Sequence, residues 1–111
     1  MDVIVSLKDN RDFRRLYARG KSFVGPALVT YVMKNRCGGI RVGITTSKKI
    51  GNAVRRSRSR RVIREAFRQT YPHVRSGYDF VFVARGKTPF LKSTQIHRAM
   101  MAQLKDAGVL L

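Results

Sequence analysis

The sequence predicts one α+β domain, an α-β sandwich in the order helix–strands–helix–strand–helix, with its sheet covered mainly on one side. Three observations carry this. A chain of 111 residues with 43% hydrophobic content is enough for one core and too little for two. Residues 27–33, 40–46 and 78–84 are rich in β-branched and aromatic side chains, the composition of strands. Residues 11–19, about 53–69 and 93–107 place apolar side chains at helical spacing before, between and after them.

Taken in order, Val3-Ile4-Val5 and Leu7 form a short apolar lead-in. Asp9-Asn10 offers an N-cap, and the helix over 11–19 is stopped by Gly20. Phe13, Leu16 and Tyr17 share one face at i, i+3, i+4. They are core by default, yet two aromatics on one edge of a short helix also make a shelf for a base or sugar. After Gly25-Pro26, Leu28, Thr30 and Val32 point one way from a strand, and Val29, Tyr31 and Met33 the other. Tyr31 is therefore either a core ring or part of a wall beside Phe13 and Tyr17. A Gly-rich turn at 35–39 joins this strand to 40–46, which predicts an antiparallel hairpin. Tyr71-Pro72 and Ser76-Gly77 mark a loop, and 78–84, the most apolar strand, reads as central. Gly86 to Pro89 is a linker. The final helix carries Ile96, Ala99, Met100, Leu104 and Ala107 as a packing stripe and stops at Gly108.

The central helix carries the functional signal. Gly51-Asn52 is a turn pair in which Asn52 caps a helix starting near Ala53, and no proline follows until Pro72. At roughly 100° per residue, Ser59, Val62, Ile63, Ala66, Phe67 and Thr70 fall in one arc that packs on the sheet. Arg56, Arg60, Arg64 and Arg68 form an i, i+4 ridge outside it, with Arg61 alongside. Like charges so stacked destabilise an isolated helix by about 0.2–0.5 kcal/mol per pair, and only Glu65 offers local relief. A solvated face usually mixes signs. This one is nearly all arginine, whose planar fork suits phosphate. Lys48 and Lys49 extend the basic surface to the helix N-terminus, so the stretch reads as a docking surface for a phosphate backbone.

Charge agrees. Twenty-four basic residues against six acidic ones give +18 and a pI near 11.6, an excess that repels itself unless a polyanion such as nucleic acid neutralises it. No apolar run approaches the ~20 residues of a membrane span, and the start lacks a signal peptide's pattern, so no membrane partner is expected. Cys37 is the single cysteine, which excludes an intramolecular disulfide and fits a reducing cytosol. The acids, Asp2, Asp9, Asp12, Glu65, Asp79 and Asp106, are scattered, and His73 and His97 have no partner at ligand spacing. No phosphate loop or Ser/His/Asp arrangement occurs. The residues describe a protein that binds and whose own side chains do not catalyse, with no catalytic residue and no metal ligand. A structural ribosomal protein or a basic DNA-binding domain has similar charge and size, although neither helix-turn-helix spacing nor a zinc knuckle is present.

Residues 41–58, Arg-Val-Gly-Ile-Thr-Thr-Ser-Lys-Lys-Ile-Gly-Asn-Ala-Val-Arg-Arg-Ser-Arg, followed by Arg61-Val62-Ile63-Arg64-Glu65-Ala66-Phe67-Arg68, closely resemble the signature of the bacterial ribonuclease P protein subunit. Asp12-Phe13 before Gly20, Gly77-Tyr78-Asp79 and Ala84-Arg85 match that family's flanking landmarks. Two positions depart. The usual Arg-Asn-Arg centre is here Arg56-Ser57-Arg58, which replaces an amide by a shorter hydroxyl, and Ser59 stands for an aliphatic residue, which predicts looser local packing. The resemblance implies a left-handed βαβ crossover, against a right-handed rule obeyed in about 98% of cases. It also implies a cytoplasmic ribonucleoprotein that removes the 5′ leader from precursor tRNA, with the catalytic Mg²⁺ held by its RNA subunit and the substrate and none by the protein alone. The implied partners are the catalytic RNA and precursor tRNA, with no obligate protein partner. Carried over by position, the RNA-subunit contacts are Lys48, Lys49, Asn52, Arg55, Arg56 and Ser57, continuing through Arg58, Arg60, Arg61, Arg64 and Arg68. The leader would lie in a cleft between the 11–19 helix and the sheet, against Phe13, Tyr17 and Tyr31. The whole chain, 1–111, would form a single RNA-binding domain.

Overall fold

The computed structural model describes residues 4–111; Met1, Asp2 and the Val3 of the apolar lead-in lie outside them. The described residues form strands β1 (Ile4–Ser6), β2 (Lys21–Val24), β3 (Leu28–Lys34), β4 (Ile40–Thr45) and β5 (Tyr78–Ala84), and helices α1 (Asn10–Arg19), α2 (Ala53–Thr70) and α3 (Ser93–Asp106). The strands make one sheet in the order β1-β4-β5-β3-β2. The predicted α+β sandwich is therefore present.

The predicted hairpin between residues 27–33 and 40–46 is not. β3 and β4 do not pair; β5 enters between them, antiparallel to β3 and parallel to β4, so that Val81 stands opposite both Tyr31 and Gly43. The reason is burial. Asp79, Phe80, Val81, Phe82 and Ala84 are all buried, on both faces, and a strand so apolar is most stable with a neighbour on each side. Alternation in β3 and β4 is compatible with either neighbour and so could not choose. The hairpin forms one strand earlier, where β2 pairs antiparallel with β3 across Gly25-Pro26. The turn at 35–39 instead borders the start of β5: the Asn35 amide donates to the Gly77 carbonyl (2.8 Å), and the Gly77 amide to that of Gly39 (3.0 Å). β4, α2 and β5 form the parallel βαβ unit to which the resemblance assigns the left-handed crossover.

The two faces of the sheet are covered unequally. On one, α2 and α3 bury Leu28, Ile40, Phe80 and Phe82 beneath Ile63, Ala66, Phe67, Ile96, Met100 and Leu104. The polar exception, Thr30, donates to Gln103 Oε1 (2.5 Å), whose Nε2 donates to the carbonyls of Phe23 and Leu28. No polar atom of that group lacks a partner. On the other face α1 lies alone, with Leu7, Leu16 and Val81 buried and Phe13, Tyr31, Met33 and Val83 partly so. α2 buries the arc its periodicity predicts, Ser59, Val62, Ile63, Ala66, Phe67 and Thr70. Ser59, expected to loosen the packing, is fully buried, and its hydroxyl donates to the Arg55 carbonyl (2.9 Å), which meets its polar requirement inside the helix. Gly20 ends α1 in extended rather than left-handed backbone (φ −71°). Glycine is needed there for space, because a Cβ would meet the Leu16 carbonyl oxygen at 2.6 Å.

Candidate nucleic-acid interface

The basic edge starts at the cap. Asn52 Oδ1 accepts from the Arg55 amide (3.0 Å), so this side chain is occupied in holding the first turn of α2. Just upstream a single 3₁₀ turn, Lys48–Ile50, buries Ile50 and leaves Lys48 and Lys49 exposed. Along α2 the predicted contact residues divide into three sets. Ser57, Arg61, Arg64 and Arg68 face solvent; Glu65 relieves Arg68 (3.2 Å) and not Arg61. Arg56 and Arg60 are half-buried, and Arg60 lies on the flank toward β4, where it donates to Thr46 Oγ1 (2.8 Å) and to Ser57 Oγ (3.2 Å). Arg55 and Arg58 lean to the opposite flank. The Arg55 guanidinium sits 5.2 Å from the Phe90 ring centroid, and Arg58 Nε donates to the Pro89 carbonyl (2.6 Å). Those two arginines thus have partners inside the fold, which sequence separations of more than thirty residues hide.

The aromatic set does converge. The Phe13 ring lies against Gly43 of β4 so closely that a Cβ there would stand 2.6 Å from its Cε1 and Cζ. Phe13 and Tyr17 are 6.5 Å apart at their centroids, and Tyr17 meets Tyr31 edge-on at 5.0 Å. The Tyr17 hydroxyl is 2.8 Å from Thr45 Oγ1, which holds the ring across the sheet while leaving it 41% exposed. Val29 and Val83, half-buried on the same face, continue this surface toward exposed Val24, with Lys49 and Arg85 beside it. Gly43, Thr45 and Val83 were missed by sequence reasoning, since their nearness to α1 depends on strand order, and so was Arg85, which borders the Val24 end of the surface. The alternation of Val29, Tyr31 and Met33 was the one available signal. The two surfaces meet at Arg60, which shares a depression with Phe13, Tyr17, Thr45 and Thr46.

Behind this cleft α1 is pinned by charge. Asp79, 1% exposed, accepts from Arg41 Nε (2.8 Å) and Nη2 (2.6 Å) and from Asn35 Nδ2 (2.9 Å), and Arg15 approaches to 3.6 Å. The bidentate bond that Arg41 donates to Asp79 raises the Arg41 pKa, opposed in part by burial. Among the described residues no three His, Cys, Asp or Glu side chains group as metal ligands, and no helix is long and apolar enough to cross a membrane. His97 of α3 is half-buried with Nδ1 2.7 Å from Thr70 Oγ1.

Comparison with known proteins agrees with this geometry. The family described as Ribonuclease P matches residues 1–108. The ribonuclease P protein component of Clostridium beijerinckii is 44% identical, over 96% of this chain and 91% of its own length. The RNase P protein of Staphylococcus aureus superposes with a TM-score of 0.82 at 34% identity, over 96% of this chain and 97% of that one. That of Thermotoga maritima gives 0.80 at 28% identity, over 91% and 96%. By sequence and by fold, the chain belongs to the ribonuclease P protein family.

Proposed function

We propose that this chain is the RNA-binding subunit of a ribonuclease P in which α2 anchors to the catalytic RNA and the cleft beside α1 receives the single-stranded 5′ leader of precursor tRNA. Membership of the family already makes it a protein component of an endoribonuclease of tRNA processing with an RNA partner. The finer reading is carried by one observation: the basic edge along α2 and the aromatic cleft beside α1 are built on different elements and adjoin at Arg60 and Lys49, so one chain can hold two RNAs at once. Lys48, Lys49, Arg56, Arg60, Arg61, Arg64 and Arg68 supply the anchoring charge. Ser57, a hydroxyl where the family's amide is usual, offers one donor and acceptor on the same edge. Arg55 and Arg58 contribute less directly, being engaged by Phe90 and Pro89.

Phe13, Tyr17 and Tyr31 stack bases at about 1–3 kcal/mol each without selecting sequence, as a subunit that meets many leaders requires. The chain then acts by holding substrate and ribozyme together, and bond cleavage is assigned to the RNA. Mg²⁺ is assigned to the RNA and the substrate as well, because the described carboxylates are not grouped for a metal and Asp79 is taken up by Arg41. The test is reconstitution at low magnesium with the catalytic RNA and precursor tRNA. Faster leader removal is expected; binding without any effect on cleavage would instead mark a structural RNA-binding protein.

A further inference from the structure

α1 has a second flank. On the side away from Phe13 and Tyr17, a cleft opens between Arg15 and Arg19 of α1, Lys34 and Arg36 at the end of β3 and its turn, and Arg41 of β4. Five cations meet there with two carboxylates, Asp79 and Asp12, which leaves three positive charges unbalanced. Arg19, Lys34 and Arg36 are exposed and form no ion pair among the described residues. Arg15 donates to Asp12 through Nη2 (2.8 Å), yet its Nε is buried with no hydrogen-bond partner among the described residues. A buried guanidinium N–H without an acceptor is unfavourable unless something supplies one.

We infer that this cleft binds a phosphodiester of RNA, as an anchoring point distinct from both the α2 edge and the aromatic cleft. Arg15 and Arg41 are already held in place by Asp12 and Asp79, so little side-chain order is lost on binding. The exposed Arg19, Lys34 and Arg36 add forks and a point charge that can close over the anion. A merely solvated charge run would be convex and would leave no donor buried. The inference rests on the reading of the chain as an RNA binder. The phosphate can come from the leader beyond the aromatic cleft or from the RNA subunit.

Two measurements on the full chain test it. The first compares Arg19→Ala/Arg36→Ala with the unaltered protein in binding the catalytic RNA, a precursor with a long leader, and a precursor with its leader trimmed to the aromatic cleft. Both positions are exposed, so unchanged thermal unfolding is expected and serves as the folding control. Affinity should fall about three- to tenfold, with the log K against log salt slope shallower by about 1–2. A loss confined to the long-leader precursor assigns the phosphate to the leader, and a loss toward the catalytic RNA assigns it to the ribozyme. The second uses Cys37, exposed in the wall of the cleft: RNA should slow its alkylation in the unaltered chain several-fold. Equal affinities and slopes in every arm, with Cys37 alkylated equally fast with and without RNA, would overturn the inference. If the unaltered chain binds neither RNA, the underlying functional reading falls as well.

Discussion

The two faces of the sheet are made from the same five strands and have opposite uses. Beneath α2 and α3, Leu28, Ile40, Phe80, Phe82, Ile96, Met100 and Leu104 are each fully buried, and the buried hydrophilic groups, Thr30 with Gln103 and Ser59 and Thr70 of α2, are internally bonded. Beneath α1 the buried apolar cluster among the described residues is just Leu7, Leu16 and Val81, and rings and valines remain half open on either side of them. One face stores the folding free energy. The other, relieved of that duty, keeps apolar and aromatic surface where a single strand of RNA can reach it.

This contrast can be broken from either side. The largest effect is expected for Phe82→Ala, which empties a fully buried site and should destabilise by about 3–5 kcal/mol, read by thermal or denaturant unfolding. Next is Gly43→Val. Its side chain must displace Phe13, so the variant should lose about 1–3 kcal/mol of stability through overpacking and, in addition, bind leader-bearing precursor poorly. Tyr17→Ala should barely alter unfolding, because the ring is partly exposed, yet weaken leader-bearing precursor by about 1–3 kcal/mol relative to mature tRNA. Equal losses for the two RNAs would make the ring a packing residue. The smallest expected effect is that of Arg64→Ala, which leaves stability within about 0.5 kcal/mol and makes the salt dependence of binding to the catalytic RNA shallower by up to about 1 unit. An unchanged slope would remove Arg64 from the contact.

What could be read from the residues was what repeats locally. The α2 arc, its Asn52 cap, the bounds of β5 and the shared orientation of Val29, Tyr31 and Met33 all follow from side-chain period and cap chemistry. Pairing did not follow, because whether β3 sits beside β4 or β5 depends on which strand most needs two neighbours, a property of the assembled sheet. Three-residue β1 and four-residue β2 are too short to show a period. The interface was legible in kind and incomplete in membership. Arginines at one edge point to phosphate, but nothing near Arg58 in sequence announces Pro89, and nothing near Asp79 announces Arg41.

The insertion of β5 also sets a schedule. A nascent chain extended through Thr45 already contains four of the five strands, yet β2–β3 and β1–β4 remain unconnected pairs until Ala84 has left the ribosome. A strongly cationic polypeptide thus spends most of its synthesis without the slat that joins its halves, and its five-stranded sheet can close only late.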